Sequence, residues 1–184
     1  MKKIIVGISG ASGSIYGIDL LEKLSKATNV ETHLVMSNWA KENIKLETDY
    51  SVAEVENLAD FVYDNRNLGA AIASGSFRID GMVIAPASMK TVAGISIGFD
   101  EDLIMRAASV MLKEQRKLIL VPRETPLSAI HLENLTKLAK LGVHIIPPFY
   151  DHPKTIQDIV DHQTMKVLDS LNIEADFAKR WDGE

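Results

Sequence analysis

The chain has 184 residues, 46% of them hydrophobic, and a net charge of −5. That length suits one domain with a real core, and the charge gives no general attraction to nucleic acid or to an anionic membrane. The absence of cysteine excludes disulfides, thiolate metal sites, iron–sulfur clusters and a cysteine nucleophile. No apolar run is long enough to cross a bilayer, and residues 2–8 enter a strand pattern rather than a signal peptide. A cytoplasmic protein is expected, with its chemistry on oxygen and nitrogen groups.

In chain order, residues 3–8 are a short run rich in Ile and Val, ended by Ser9 and Gly10, after which Ile15, Ile18, Leu21 and Leu24 recur at helical spacing. This reads as strand, glycine turn, helix. Residues 31–36 read as a second strand, Ser37 as a cap for a helix to about Leu46, and residues 52–59 as a short helix. Residues 61–73 show no regular pattern. Residues 81–85, 117–121 and 143–146 are apolar runs that each stop at proline, and they are expected to be buried parallel strands. Helical patterns fill residues 88–97, 102–115, 128–141 and 155–171. The alternation predicts an α/β fold: a single-domain three-layer αβα sandwich over residues 1–184, with a Rossmann-like or flavodoxin-like doubly wound parallel sheet. The tail from about 173 to 184 is polar except for Phe177 and Trp181, and is expected to dock on the domain or on a neighbouring subunit.

In such a sheet the ligand crevice lies beyond the carboxyl ends of the strands, so the loops there carry the functional reading. The first, residues 9–14, is Ser-Gly-Ala-Ser-Gly-Ser, where glycines allow close backbone approach and a helix N-terminus offers free N–H groups to an anion. It has neither the spacing of a dinucleotide fingerprint nor the lysine of a Walker A loop, and a plain tight connection explains it equally well. The second strand ends in Met36 and Ser37, not in the Asp or Glu that would hold an adenosine ribose. Ser37 is either a ligand contact or an N-cap. The third loop, Pro86 to Thr91, again puts hydroxyls at a helix start. The fourth, Pro122 to Pro126, sets Arg123 beside Glu124, as a tuned proton-transfer carboxylate or as a surface ion pair.

Arg106 and Lys113, seven residues apart, share one helix face and could clamp an anion or simply be solvated. The five histidines show no metal spacing and read as structural or surface residues, and no serine hydrolase arrangement is present.

Taken together, Gly7-Ile8-Ser9-Gly10-Ala11-Ser12-Gly13, Leu46-Glu47-Thr48-Asp49, Arg106-Ala107-Ala108 and Leu112-Lys113-Glu114 occur in order, followed by residues 121–127, 130–134, Phe149-Tyr150 and Arg180-Trp181. On these motifs the chain resembles the UbiX-type flavin prenyltransferases, a family that includes subunits encoded beside hydroxyarylic acid decarboxylases. The resemblance implies transfer of a prenyl group from dimethylallyl phosphate to N5 and C6 of reduced FMN, giving prenylated FMN for a separate UbiD-type decarboxylase. It implies that Gly10, Ala11, Ser12, Ser37, Ser88, Met89, Lys90, Thr91 and Arg123 hold the flavin. Lys113, Tyr150, Lys166 and Trp181 are implied at the prenyl phosphate, and Ser12, Glu47, Arg106 and Glu124 in catalysis, without a metal and within a homo-dodecamer. An FMN-binding carrier or decarboxylase-associated subunit without turnover is the alternative.

The chain departs from the family pattern in three places. Pro147 and Pro148 run directly into Phe149-Tyr150, where the family usually has extra residues. Lys166 stands where arginine is frequent, which keeps the charge and loses the bidentate fork. Ala87 stands where many members have cysteine. Related flavin-dependent cysteine decarboxylases share such a Pro-Ala-Ser run but place a histidine after the first turn, where this chain has Ser14, Ile15 and Tyr16.

Overall fold

The computed structural model describes residues 1–149, 152–175 and 177. Six strands, β1 (Lys2–Ile8), β2 (Val30–Met36), β3 (Phe61–Asp64), β4 (Gly81–Ala87), β5 (Lys117–Pro122) and β6 (His144–Ile145), form one parallel sheet in the order β3-β2-β1-β4-β5-β6. Among the described residues, seven helices connect and cover them: α1 (Ile15–Lys26), α2 (Asn38–Glu47), α3 (Val52–Glu56), α4 (Met89–Ile97), α5 (Leu103–Lys113), α6 (Ala129–Lys140) and α7 (Ile156–Ser170). The chain works outward from β1 to one edge, returns to the middle at β4 and works outward to the other. Because crossovers are right-handed, that reversal sends the two sets of helices to opposite faces.

The strand pleat sorts the apolar residues accordingly. Ile4, Val6, Ile8, Leu34, Met36, Val83, Ala85, Ile119 and Val121 pack with the buried residues of α1, α2, α3 and α7. Ile5, Val35, Met82, Ile84, Leu118 and Leu120 face the other way, onto α4, α5 and the buried Leu138 of α6. Strands apolar on both faces are what a doubly covered parallel sheet requires. Among the described residues no helix is long and apolar enough to cross a membrane.

Two expectations need correction. The segment 61–73 is not irregular throughout: Phe61–Asp64 pairs in parallel with β2, from His33↔Phe61 to Met36↔Asp64, and Ala71–Ala73 forms a 3₁₀ turn. Phe61, Val62 and Asp64 are exposed on this edge strand and only Tyr63 of the four packs against the core, which is too little to produce a pattern. Conversely, the run 143–146 pairs only through His144 and Ile145 at the opposite edge, and neither is buried.

The tail's Phe177 packs against the face formed by α1 and α7, with the Lys23 ammonium 4.4 Å from its ring centre. Trp181, the tail's other large aromatic, lies outside the described residues, as does Tyr150.

Candidate active site

The reversal between β1 and β4 opens a crevice at their carboxyl ends, and Ser9 ties its two walls together. The Ser9 N–H and hydroxyl both donate to Pro86 O, at 3.2 and 2.8 Å, and the same hydroxyl oxygen accepts from Ser88 N at 2.7 Å. Arg123 brings in the end of β5: its N–H donates to Ala87 O, and its Nε donates to Ser12 O, each at 3.2 Å. The loops after β1, β4 and β5 are therefore one hydrogen-bonded unit, although 111 residues separate Ser12 from Arg123.

The glycines of the first turn are there for contact. A Cβ on Gly10 would stand 2.6 Å from Trp39 Cβ, so the turn lies flush against the start of α2. Gly13 has φ +97° and leaves room for the Tyr16 ring. Burial raises the Tyr16 hydroxyl above its usual range, with the Arg123 charge partly opposing it.

Two helices begin at this crevice, and their N-termini differ. Just ahead of α1, Glu47 at the far end of α2 accepts from Gly13 N at 2.8 Å and from Ser14 N at 3.3 Å. Its carboxylate occupies the anion position that the turn offers. At α4, Ser88 caps the helix by accepting from Thr91 N at 3.3 Å, and its hydroxyl meets Thr91 Oγ1 at 3.0 Å. The first-turn N–H groups of Met89 and Lys90 have no acceptor within the helix. An anionic group therefore fits α4, and the Gly10–Gly13 turn serves as its neighbouring wall. A flavin mononucleotide, a flat ring with one phosphate, suits this preformed cleft with one open positive pole.

Ser37 also acts as an N-cap, accepting from Ala40 N at 3.1 Å. The Met89 side chain belongs to the core, so only its backbone reaches the cleft, while Lys90 reaches away to Glu101 at 3.1 Å. Ser12 is exposed at the crest of the turn. Ser14 is fully buried, with a hydroxyl that finds no protein partner. Glu124 is exposed, accepts from Thr125 N at 3.1 Å, and makes no ion pair with Arg123 among the described residues.

Arg106 and Lys113 do share one face, but they line a separate cavity of about 390 Å³ with Ser74, Gly75 and Ser76. Lys113 ends α5 just before β5 begins, which places it level with the amino ends of the strands. Arg116 stitches the cavity wall to α5, its guanidinium donating to Gly75 O at 2.7 Å and to Phe77 O at 3.1 Å. Lys166 is exposed near the end of α7, whose last turn contacts Gly81 at the start of β4. Within one chain, Gly10, Ala11, Ser12, Ser37, Glu47, Ser88, Thr91 and Arg123 are brought together, and Arg106, Lys113 and Lys166 stand elsewhere.

Three contributors were not singled out from sequence: Ser9 as the bridge, Trp39 against Gly10, and Tyr16 under Gly13. Ser9 carried a signal, being a hydroxyl at the very end of a buried strand.

Residues 1–168 match the flavoprotein family model, and the chain belongs to that family. Its relatives narrow the assignment. A flavin prenyltransferase of Lactiplantibacillus plantarum is 65% identical over the full length of both chains. A solved structure described as a dodecameric FMN-dependent UbiX-like decarboxylase from Escherichia coli O157:H7 superposes with TM-score 0.96 at 54% identity, over 98% of this chain and all of that one. AnUbiX (PadA1), solved with FMN and dimethylallyl pyrophosphate, superposes with TM-score 0.97 at 46% identity, over 100% and 98% of the two chains. Within the flavoproteins, the chain is a member of the UbiX-like flavin prenyltransferases.

Proposed function

We propose that this protein transfers a dimethylallyl group from dimethylallyl phosphate to N5 and C6 of reduced FMN, releasing phosphate and delivering prenylated FMN to a UbiD-type decarboxylase. The observation that carries the reading is the crevice between β1 and β4, with an open N-terminus at α4 beside a wall locked by Ser9, Arg123 and Glu47. Reduced flavin supplies the nucleophilic nitrogen and carbon, so the chain needs no nucleophile of its own.

In this reading the backbone of Met89 and Lys90 and the hydroxyls of Ser88 and Thr91 hold the flavin phosphate. The turn at Gly10, Ala11 and Ser12, with Ser37 and Arg123, borders the rest of the molecule. Glu47 stays on the Gly13 and Ser14 N–H groups and presents its carboxylate, with Ser12, near the reacting nitrogen. Glu124 exchanges a proton with the departing phosphate, and Arg106, Lys113 and Lys166 neutralise it. Tyr150 and Trp181 are assigned to the prenyl pocket on the resemblance alone.

Since Arg106, Lys113 and Lys166 stand away from the crevice of their own subunit, the reading requires a neighbouring copy to bring them in. The E. coli relative's dodecamer supports such an assembly, and so does α6, which buries only Leu138 and leaves Ile130 and Leu132 exposed. The reading includes a cytoplasmic location, where reduced flavin is at hand. Anaerobic incubation with reduced FMN and dimethylallyl phosphate tests it by mass spectrometry. No prenyl mass gain on the flavin with donor in excess refutes it.

The same separation of the cations from the crevice favours one second reading, an FMN-binding carrier or decarboxylase-associated subunit without turnover. Restoration of a partner decarboxylase by catalytic rather than stoichiometric amounts of this protein counts against it.

A further inference from the structure

The connection between α4 and α5 is short and fixed at both ends. Gly98 closes α4 in the left-handed region at φ +71°, with Phe99 N donating to Gly94 O at 2.8 Å, and Asp102 opens α5 by accepting from Met105 N at 2.9 Å. Asp100 stands between these caps, so its backbone has little freedom. Its Oδ2 accepts from Arg106 Nη1 at 2.9 Å, and its Oδ1 accepts from the Ser109 hydroxyl. On the other side of the guanidinium, Arg106 Nε donates to Ala73 O at 3.2 Å. The remaining N–H groups of Arg106 have no protein acceptor among the described residues, and the side chain lines the cavity with Ser74, Ser76 and Lys113.

We propose that Asp100, buttressed by Ser109, is a positioning residue for prenyl transfer that holds the Arg106 guanidinium open toward this cavity. The proposal rests on the reading that Arg106 acts on the donor's phosphate. An untethered arginine samples many rotamers, and an anion that binds it must order it; one already tethered meets the phosphate in place. Asp100 also cancels part of the Arg106 charge, so its loss has two opposed effects that different substitutions separate. Asparagine keeps both links, accepting from Arg106 and donating to Ser109, without the charge. Alanine removes both.

The test compares Asp100→Ala, Asp100→Asn, Arg106→Ala and the Asp100→Ala/Arg106→Ala double variant in the assembled protein, with reduced FMN and dimethylallyl phosphate. Asp100→Ala is expected to lower kcat/KM for the donor about tenfold with FMN affinity unchanged, and Asp100→Asn to restore most of it. On the Arg106→Ala background, Asp100→Ala is expected to add nothing. Should Asp100→Ala fail to fold, Ser109→Ala removes one link alone and is expected to cost about threefold. Full activity of Asp100→Ala, or of Ser109→Ala when it stands in, beside an impaired Arg106→Ala overturns the proposal. So does an equal loss on both backgrounds, which marks a structural role. If Arg106→Ala itself transfers at the native rate, the reading of Arg106 fails and the proposal falls with it.

Discussion

Replacing Gly17 by alanine sets two principles against each other. In the first turn of α1 the change should stabilise the helix by at most about 1 kcal/mol, because glycine carries the larger backbone entropy. The added Cβ, however, would lie 2.3 Å from Ala85 O and 2.9 Å from two carbons of Ile8. The carbonyl cannot easily retreat, since Ser9 holds the adjoining Pro86 through two hydrogen bonds. Moving α1 back by about 1 Å to relieve the clash opens the packing along its buried face, an overpacking cost of about 3 kcal/mol. The net expectation is a loss of about 2 kcal/mol, which for a chain of 184 residues lowers Tm by about 5 °C. It should also weaken FMN binding, because α1 begins at the glycine turn. Thermal unfolding with a flavin titration checks both. A Tm at or above the native value would mean that helix propensity outweighs the close approach, and the packing argument would be wrong.

Burial holds the His33 imidazole below its ordinary value of 6.5, so the unfolded chain takes up the proton more readily and stability is lost as pH falls below that value. The urea midpoint should fall by the equivalent of about 1 kcal/mol between about pH 7.5 and 5.5, and the fall should shrink in His33→Phe to the part left by His144, which burial also holds low. Burial raises the Asp19 carboxyl above its ordinary 3.8, so its contribution is full below that pH and is lost as pH rises through the folded value. Asp19→Asn keeps an acceptor for the Thr164 hydroxyl but turns its amide NH2 toward the Gln157 and Lys23 donors, so it should flatten the pH dependence with a net change at pH 7 within about 1 kcal/mol; an undiminished pH dependence would show that Asp19 is not its source. Arg123→Ala removes the tie to Ser12 O and should weaken FMN affinity about tenfold with little change in Tm, measured by flavin fluorescence titration. Glu124→Gln should bind FMN normally and lose most prenyl transfer, and unchanged turnover would refute its proton role.

Much of the fold was legible because its signals are local. Apolar runs leading into a proline, serines at helix starts and the apolar rhythm of Ile15, Ile18, Leu21 and Leu24 each report on a few neighbouring residues, although β4 and β5 take in Pro86 and Pro122 rather than stopping before them. The edge strand Phe61–Asp64 was not legible, since its pairing with β2 is backbone to backbone and of its side chains Tyr63 alone packs against the core. At the site, the loops at strand ends could be listed from sequence, but their partners could not. Glu47 meets Gly13 across 34 residues only because α2 lies across the mouth of the crevice. Arg106 and Lys113 could be placed on one stripe of α5, but which cavity that stripe faces depends on how α5 runs back to β5. Asp100 carried no signal at all, because a carboxylate between two helix caps looks like any solvated turn.

Glu47 at the start of α1 acts as a built-in counterion. It is worn by the fold in place of an anion that would otherwise be recruited from solution, so the crevice presents one unfilled pole rather than two. A ligand bringing a second phosphate to the β1 turn would have to expel a carboxylate held by two backbone N–H groups and tethered through α2. The chain's own charge is thus expected to disfavour a phosphate on the β1 turn itself, without any side chain reading the ligand's base.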